Sequence, residues 1–172
     1  PIINSMLNKI HHRGPDDHGS WSDSHIGVNL GHKRLSIVDL SPSGHQPMHS
    51  ISKRYVIVFN GEIYNHIKLR QDLIKENKSA NWVGTSDTET LLAGFDVWGI
   101  EKTINSCIGM FSIALWDKAN NTLNLIVDRV GEKPLYYGWQ GRGKSKTFLF
   151  GSELKALKAH PAFEKNINRD SL

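Results

Sequence analysis

Apolar positions recur along the chain in short bursts: Ile26 to Leu30, Arg34 to Val38, Tyr55 to Phe59, Met110 to Trp116, Leu123 to Val127, Pro134 to Gly138 and Thr147 to Phe150. Bursts of this length, some alternating and some continuous, predict strands. Asn60-Gly61, Asn120-Asn121 and the glycines near position 141 place turn chemistry between neighbouring bursts. Such turns join adjacent strands as hairpins, so the pattern predicts a largely antiparallel sheet.

Two longer segments change period. From His66 to Glu76 the apolar residues Ile67, Leu69, Leu73 and Ile74 gather on one side of a helix. Ser86 and Glu89 form a capping box ahead of Leu91, Leu92, Phe95 and Trp98, and Gly99 ends that second helix. Shorter helices are expected before His11, over Glu101 to Ser106 and over Glu153 to Ala159. Strands apolar on both faces with helices between them imply two packed sheets covered by helices, an α+β domain. The more polar stretch from His160 onward reads as the start of a connection to another domain.

The 172 residues and 19.4 kDa suit one domain with a substantial core. No apolar run approaches the roughly 18 residues of a membrane span. The net charge of +4 comes from scattered basic residues, which argues against nucleic-acid binding. Pro1 to Ile10 carries one lysine and no cleavage pattern, so it reads as the interior of a longer protein and not as a targeting segment. With Cys107 as its single cysteine the sequence has no internal disulfide and no cysteine-based zinc site, and a cytoplasmic address is expected. The nine histidines show no metal-ligand spacing, and no metal is expected.

Candidate chemistry is spread thinly. Asn60-Gly61 in VFNGEIYN reads first as a hairpin turn, yet an asparagine amide beside a glycine N–H also offers two donors to an oxyanion. Arg34 is either a solvated edge residue or a planar fork for a carboxylate. Glu62 and Asp87 could receive an ammonium group, although Asp87 also stands where the helix dipole alone favours an acid. The polar loop His12 to Asp17 has ordinary turn chemistry. Cys107, among Ile104, Ile108 and Met110, reads as a small buried hydrophobe.

In order along the chain stand HRGPDD from His12, RLSIVDL from Arg34, GHQPM from Gly44, NGEIYN from Asn60, TSDTE from Thr85, GMFSIALWD from Gly109, DRVGEKPLYY from Asp128 and SELKAL from Ser152. Taken together they resemble the N-terminal glutaminase (class II glutamine amidotransferase) domain of glutamine-hydrolysing asparagine synthetases. The resemblance implies a four-layer αββα N-terminal-nucleophile hydrolase fold over residues 1–160, with residues 161–172 leading to an ATP-dependent synthetase domain. It implies that Arg34 binds the glutamine α-carboxylate, Glu62 and Asp87 its α-amino group, and Asn60 with Gly61 the oxyanion, with the backbone of Leu35, Ile37 and Val38 lining the pocket. The family's nucleophile is an N-terminal cysteine on a first strand that precedes the HRGPDD motif. That strand is not in the sequence given, so the chain as given is expected to be inactive; either it is cropped from a longer protein or the protein has lost its nucleophile, and the match of Arg34, Asn60, Glu62 and Asp87 to the pattern favours cropping. No cofactor is implied for this domain; ATP and Mg belong with the synthetase domain, which is the expected partner besides glutamine. A homodimer is left open. Val127 and Gly151 depart from the family's usual arginine and alanine. An amidotransferase for another acceptor, such as a surface-polysaccharide sugar, and a non-catalytic binding module are the alternatives.

Overall fold

The structure is a computed structural model that describes residues 2–76, 82–143 and 146–165. Its elements run α1 (Ile2–Lys9), β1 (Asp17–Asp23), β2 (Val28–Arg34), β3 (Met48–His49), β4 (Tyr55–Ile63), α2 (His66–Glu76), α3 (Asp87–Trp98), α4 (Ile100–Ser106), β5 (Gly109–Asp117), β6 (Thr122–Val127), β7 (Tyr136–Gln140), β8 (Thr147–Gly151) and α5 (Leu154–Leu157). All pairings are antiparallel: a four-stranded sheet in the order β3-β4-β5-β6, and two ribbons, β1-β2 and β7-β8.

The central strands β4 and β5 are apolar on both faces because both faces are covered. Tyr55, Ile57, Phe59, Phe111, Ile113 and Leu115 meet Leu69 of α2 and Leu91, Leu92 and Phe95 of α3. Val56, Val58, Ala114 and Trp116 meet Leu30 of β2, with Trp21, Val28 and Phe150 around them. Alternation along a strand produces these two sets. The ribbons thus form the second sheet layer, and α1 and α5, packed on each other and on β2 and β8, form the outer helix layer. Cys107 lies in the first core with its thiol on the Thr103 carbonyl.

Several expectations need correction. Arg34 to Val38 is not a strand: β2 ends at Arg34, and Leu35 and Ile37 are exposed at 56% and 67%. The guanidinium of Arg34 turns back to the carbonyls of Asp39 and Ser41, which coils the following loop around it. Arg34 is accordingly buried and not a solvated edge residue. Asn60-Gly61 makes no turn, since β4 continues through both to Ile63, paired with Ser112 and Phe111 of β5. At Gly61 a Cβ would meet the Met110 carbonyl oxygen at 2.1 Å, so glycine is required there by the approach of β5 and not by a bend. The strand read over Ile26 to Leu30 is displaced to Val28–Arg34, the one over Pro134 to Gly138 to Tyr136–Gln140, and the last helix is shortened to Leu154–Leu157. Strand β1, of sequence DHGSWSD, has no counterpart among the predicted elements. The Asn120-Asn121 turn and the glycines at 141 and 143 stand where hairpins were expected. Part of the polar stretch after His160 lies outside the described residues.

Candidate functional site

Every residue that the sequence nominated lines one cavity of about 240 Å³: Arg34, Leu35, Ile37, Val38, Asn60, Gly61, Glu62 and Asp87. That volume is below the roughly 300–1,000 Å³ of sites for drug-sized ligands and suits a molecule of amino-acid size. Chain order does not bring these residues together; the sheet does. β2 ends at the cavity with Arg34, β4 crosses it with Asn60 to Glu62, and α3 starts beside it with Asp87.

The loop after β2 is fixed from within. Besides the two carbonyl contacts to Arg34, the Asp39 carboxylate accepts from Ser41 N (2.8 Å), Ser41 Oγ (2.6 Å) and Thr85 N (2.8 Å). The Ser41 hydrogen bond leads the interactions that hold Asp39 down at about 2, against the opposing effect of burial. The guanidinium has five N–H donors, and these carbonyls engage only two. Gly44 is the floor beneath it, where a Cβ would collide with Arg34 Nη2.

The start of α3 is built by Ser86, whose side chain caps Glu89 N at 3.2 Å. The predicted capping box is half formed, because Glu89 reaches back to Val83 N (2.7 Å) and Gly84 N (3.1 Å) instead of Ser86 N. This places Asp87, 5% exposed, with its carboxylate accepting from Ile63 N at 3.0 Å and Thr88 N at 2.9 Å. Burial pushes its pKa above the usual carboxylate value, against the Ile63 hydrogen bond. A cation arriving beside it would favour its charged form.

On its open edge β4 has side chains where a neighbouring strand would be. Phe59 N donates to Gln46 Oε1 at 2.7 Å, the Phe59 carbonyl accepts from His32 Nε2 at 3.0 Å, and Ile63 N donates to Asp87. Strand alternation aims the Gly61 N–H out of this same edge, between Phe59 and Ile63, and no side chain among the described residues takes it. Beside it the buried Nδ2 of Asn60 has no partner. Two hydrogen-bond donors are thus available on adjacent residues of a cavity whose lining also includes Arg34, Glu62 and Asp87.

A second, apolar groove of about 360 Å³ runs between β2 and β8 under α1, and it meets the polar cavity at Arg13, His32, Lys33 and Asn60. Among the described residues each of β2 and β8 has a strand partner on one edge only. Glu153 ties the rim together, accepting from His12 (2.9 Å), Arg13 (3.1 Å) and Lys155 (3.0 Å). Those contacts, Lys155 first, hold its carboxyl at about 2.

Sequence reasoning missed His32, Gln46, Asp39 and Asp128, each of which shapes the site through its backbone contacts. Asp128 accepts from Phe111 N, Val130 N, Glu132 N and Lys133 N, and so holds the loop that brings Lys133 to the cavity. The available signal was their place inside the quoted motifs or two residues from one. Among the described residues no cluster of three or more His, Cys, Asp or Glu could hold a metal, and no helix is long and apolar enough to cross a membrane.

The fold is shared with two solved structures. A glutamine phosphoribosylpyrophosphate amidotransferase from B. subtilis, solved with ADP and GMP, superposes with a TM-score of 0.72 at 19% identity, covering 91% of this chain and 40% of that one. A structure described as the allosteric regulatory enzyme of purine biosynthesis gives 0.71 at 20% identity, covering 92% and 40%. The fold is that of the N-terminal-nucleophile hydrolases. The model of the glutamine amidotransferase domain matches residues 1–172, and the chain belongs to that family. It is 39% identical over 172 residues to asparagine synthetase [glutamine-hydrolyzing] 3 of Bacillus subtilis, covering 99% of this chain and 26% of the relative. It is 35% identical over 188 residues to the putative asparagine synthetase [glutamine-hydrolyzing] 2 of Methanocaldococcus jannaschii, covering 99% and 35%. The chain therefore spans between a quarter and about a third of the length of these relatives.

Proposed function

We propose that the chain is the glutaminase part of a glutamine-hydrolysing asparagine synthetase, releasing ammonia from glutamine for transfer to an ATP-activated aspartate. The observation that carries this reading is the charge pattern of the 240 Å³ cavity, which matches a free amino acid whose side chain ends at two unsatisfied donors. Arg34 takes the α-carboxylate through its uncommitted N–H groups, Asp87 and Glu62 take the α-ammonium, and the backbone at Leu35, Ile37 and Val38 closes over the stem. Asn60 Nδ2 and Gly61 N then point at the amide oxygen, where negative charge develops during acyl transfer.

The nucleophile in this reading is an N-terminal cysteine on a strand seated in the groove between β2 and β8. Two open sheet edges and an apolar lining suit a strand there, and the groove ends at Asn60. The thiol gives its proton to the α-amino group of the same cysteine, and sulfur attacks the amide carbon. The proton passes to the leaving nitrogen as the C–N bond breaks, and water cleaves the thioester to glutamate. Cys107 does not replace this group: burial raises its thiol to about 12, and it lies in the core on the far face of the central sheet. The chain by itself is accordingly proposed to be inactive. ATP and Mg are assigned to a synthetase domain following residues 161–172, and a cytoplasmic location accompanies this metabolism.

Replacing Arg34 by lysine in the full-length protein tests the reading, since lysine keeps the charge and loses the fork. Charge-assisted hydrogen bonds of roughly 1.5–3 kcal/mol correspond to about a ten- to hundredfold rise in the glutamine requirement. Synthesis fed with ammonia is expected to stay near normal. An unchanged glutamine requirement would remove the proposed carboxylate site, and parallel loss of both rates with thermal stability would make Arg34 a holder of the loop alone.

A further inference from the structure

We infer that His32 and Gln46 are positioning residues for the Asn60-Gly61 donor pair, acting as a side-chain clamp on the main chain of Phe59. The inference rests on the glutaminase reading and adds to it the groups that hold the oxyanion donors in place.

The geometry is specific to this stretch of β4. Strand β3 pairs Met48 with Ile57 and His49 with Val56, so from Val58 onward β4 has no strand on that side among the described residues. Phe59 is the last residue before the donor pair, and both of its main-chain polar groups are taken by side chains: N–H by Gln46 Oε1 at 2.7 Å and C=O by His32 Nε2 at 3.0 Å. The peptide group whose carbonyl His32 holds is the one that leads into Asn60. Gln46, 6% exposed, is itself anchored by its Nε2 on Thr88 Oγ1 at 3.3 Å. Thr88 follows Asp87, so the clamp also sets the spacing between the oxyanion donors and the carboxylate proposed for the ammonium group.

The tautomer of His32 follows from the same contact. The Phe59 carbonyl can only accept, so Nε2 carries the hydrogen and Nδ1 the lone pair. Nδ1 is enclosed and unpartnered at the junction of groove and cavity. Burial lowers the pKa of the ring to about 4, opposed by the Phe59 hydrogen bond, and Arg34, Asp17 and His45 supply the nearby charges. Near neutral pH the clamp is a neutral donor, and it adds no charge beside a developing oxyanion.

Donor placement matters in the transition state more than in the ground state, which gives the clamp a kinetic signature. Glutamine hydrolysis by the full-length protein would be compared for wild type, His32→Phe, His32→Gln and Gln46→Met. Removing an oxyanion donor outright costs about 10²–10³ in kcat, so loosening the pair is expected to cost about ten- to hundredfold. In His32→Phe and Gln46→Met kcat should fall with KM for glutamine nearly unchanged, and His32→Gln, which retains an N–H, should recover part of the loss. Ammonia-fed synthesis should be unaffected in all three. A rise in KM at constant kcat would overturn the inference by making these residues part of substrate binding, and equal loss of ammonia-fed synthesis would make them structural only. If wild type itself hydrolysed no glutamine, the glutaminase reading would fall and the clamp with it, an outcome distinct from wild-type activity that the variants leave intact.

Discussion

Single residues in this chain act mainly through backbone groups. Asp39, Asp87 and Asp128 each accept two or more main-chain N–H groups, and His32 and Arg34 each donate to main-chain carbonyls. His32 gives this arrangement a pH dependence. With its folded pKa near 4 and an ordinary value of 6.5, the unfolded chain binds a proton between those limits and the folded chain does not. Its contribution to stability is therefore complete above pH 6.5 and falls as pH drops toward 4. Over that interval the loss approaches roughly 3 kcal/mol, at 1.36 kcal/mol per pH unit. Asp87, whose pKa is raised, contributes with the opposite sign, so the comparison must be made against a variant. Denaturant unfolding of His32→Gln from pH 7 to 4 should show a shallower decline than wild type. Equal slopes would mean that His32 titrates as a solvated histidine.

Among the elements, α3 has the most direct bearing on the site, since its first residue is Asp87. Removing the Ser86 cap exposes the Glu89 N–H and is expected to cost about 1 kcal/mol, or roughly 2–4 °C in Tm for a chain of this size. Ser86→Ala should lower Tm by that amount in a thermal melt and also weaken glutamine binding. A lowered Tm with unchanged binding would show that Asp87 holds its place without the cap. This helix was legible in the sequence because its signals are local: Ser86, Glu89, the apolar spacing and Gly99. So were β4, β5 and β6, which are buried or hairpin-linked. β1 was not, because a ribbon half open to solvent leaves Trp21 as the large apolar side chain of DHGSWSD. RLSIVDL misled in the other direction, since its apolar residues are spent on a loop whose course is decided by contacts to Arg34 that no periodicity records. Arg34, Asn60-Gly61, Glu62 and Asp87 were legible singly from their side-chain chemistry, but only the motif resemblance joined them, with Leu35, Ile37 and Val38, in one pocket. Asn60-Gly61 has hairpin composition, and what keeps it extended is β5, some fifty positions away in sequence.

For the molecule as a whole, the groove between β2 and β8 is a departure from close packing. Its lining includes Ile3, Met6, Leu7, Val58, Leu135 and Phe150, and apolar surface of this kind captures hydrophobic dyes and invites association. A version carrying a cysteine-headed strand ahead of Pro1 should bind less dye than the chain alone and should release ammonia from glutamine, while the chain alone should not. Equal dye binding would mean that the groove accepts no strand. Turnover by the chain alone that vanished in Cys107→Ala would assign the nucleophile to the core cysteine.

The open edge of β4 contrasts with that groove. A bare edge offers its amide and carbonyl groups to any extended peptide, and two copies of a chain can zip together along it. Here Gln46, His32 and Asp87 occupy groups of Phe59 and Ile63, and the Gly61 N–H between them has no side-chain partner among the described residues. Side chains at these groups thereby compete with a β-strand from another molecule, so the open side of β4 is a poor template for fibre-like assembly.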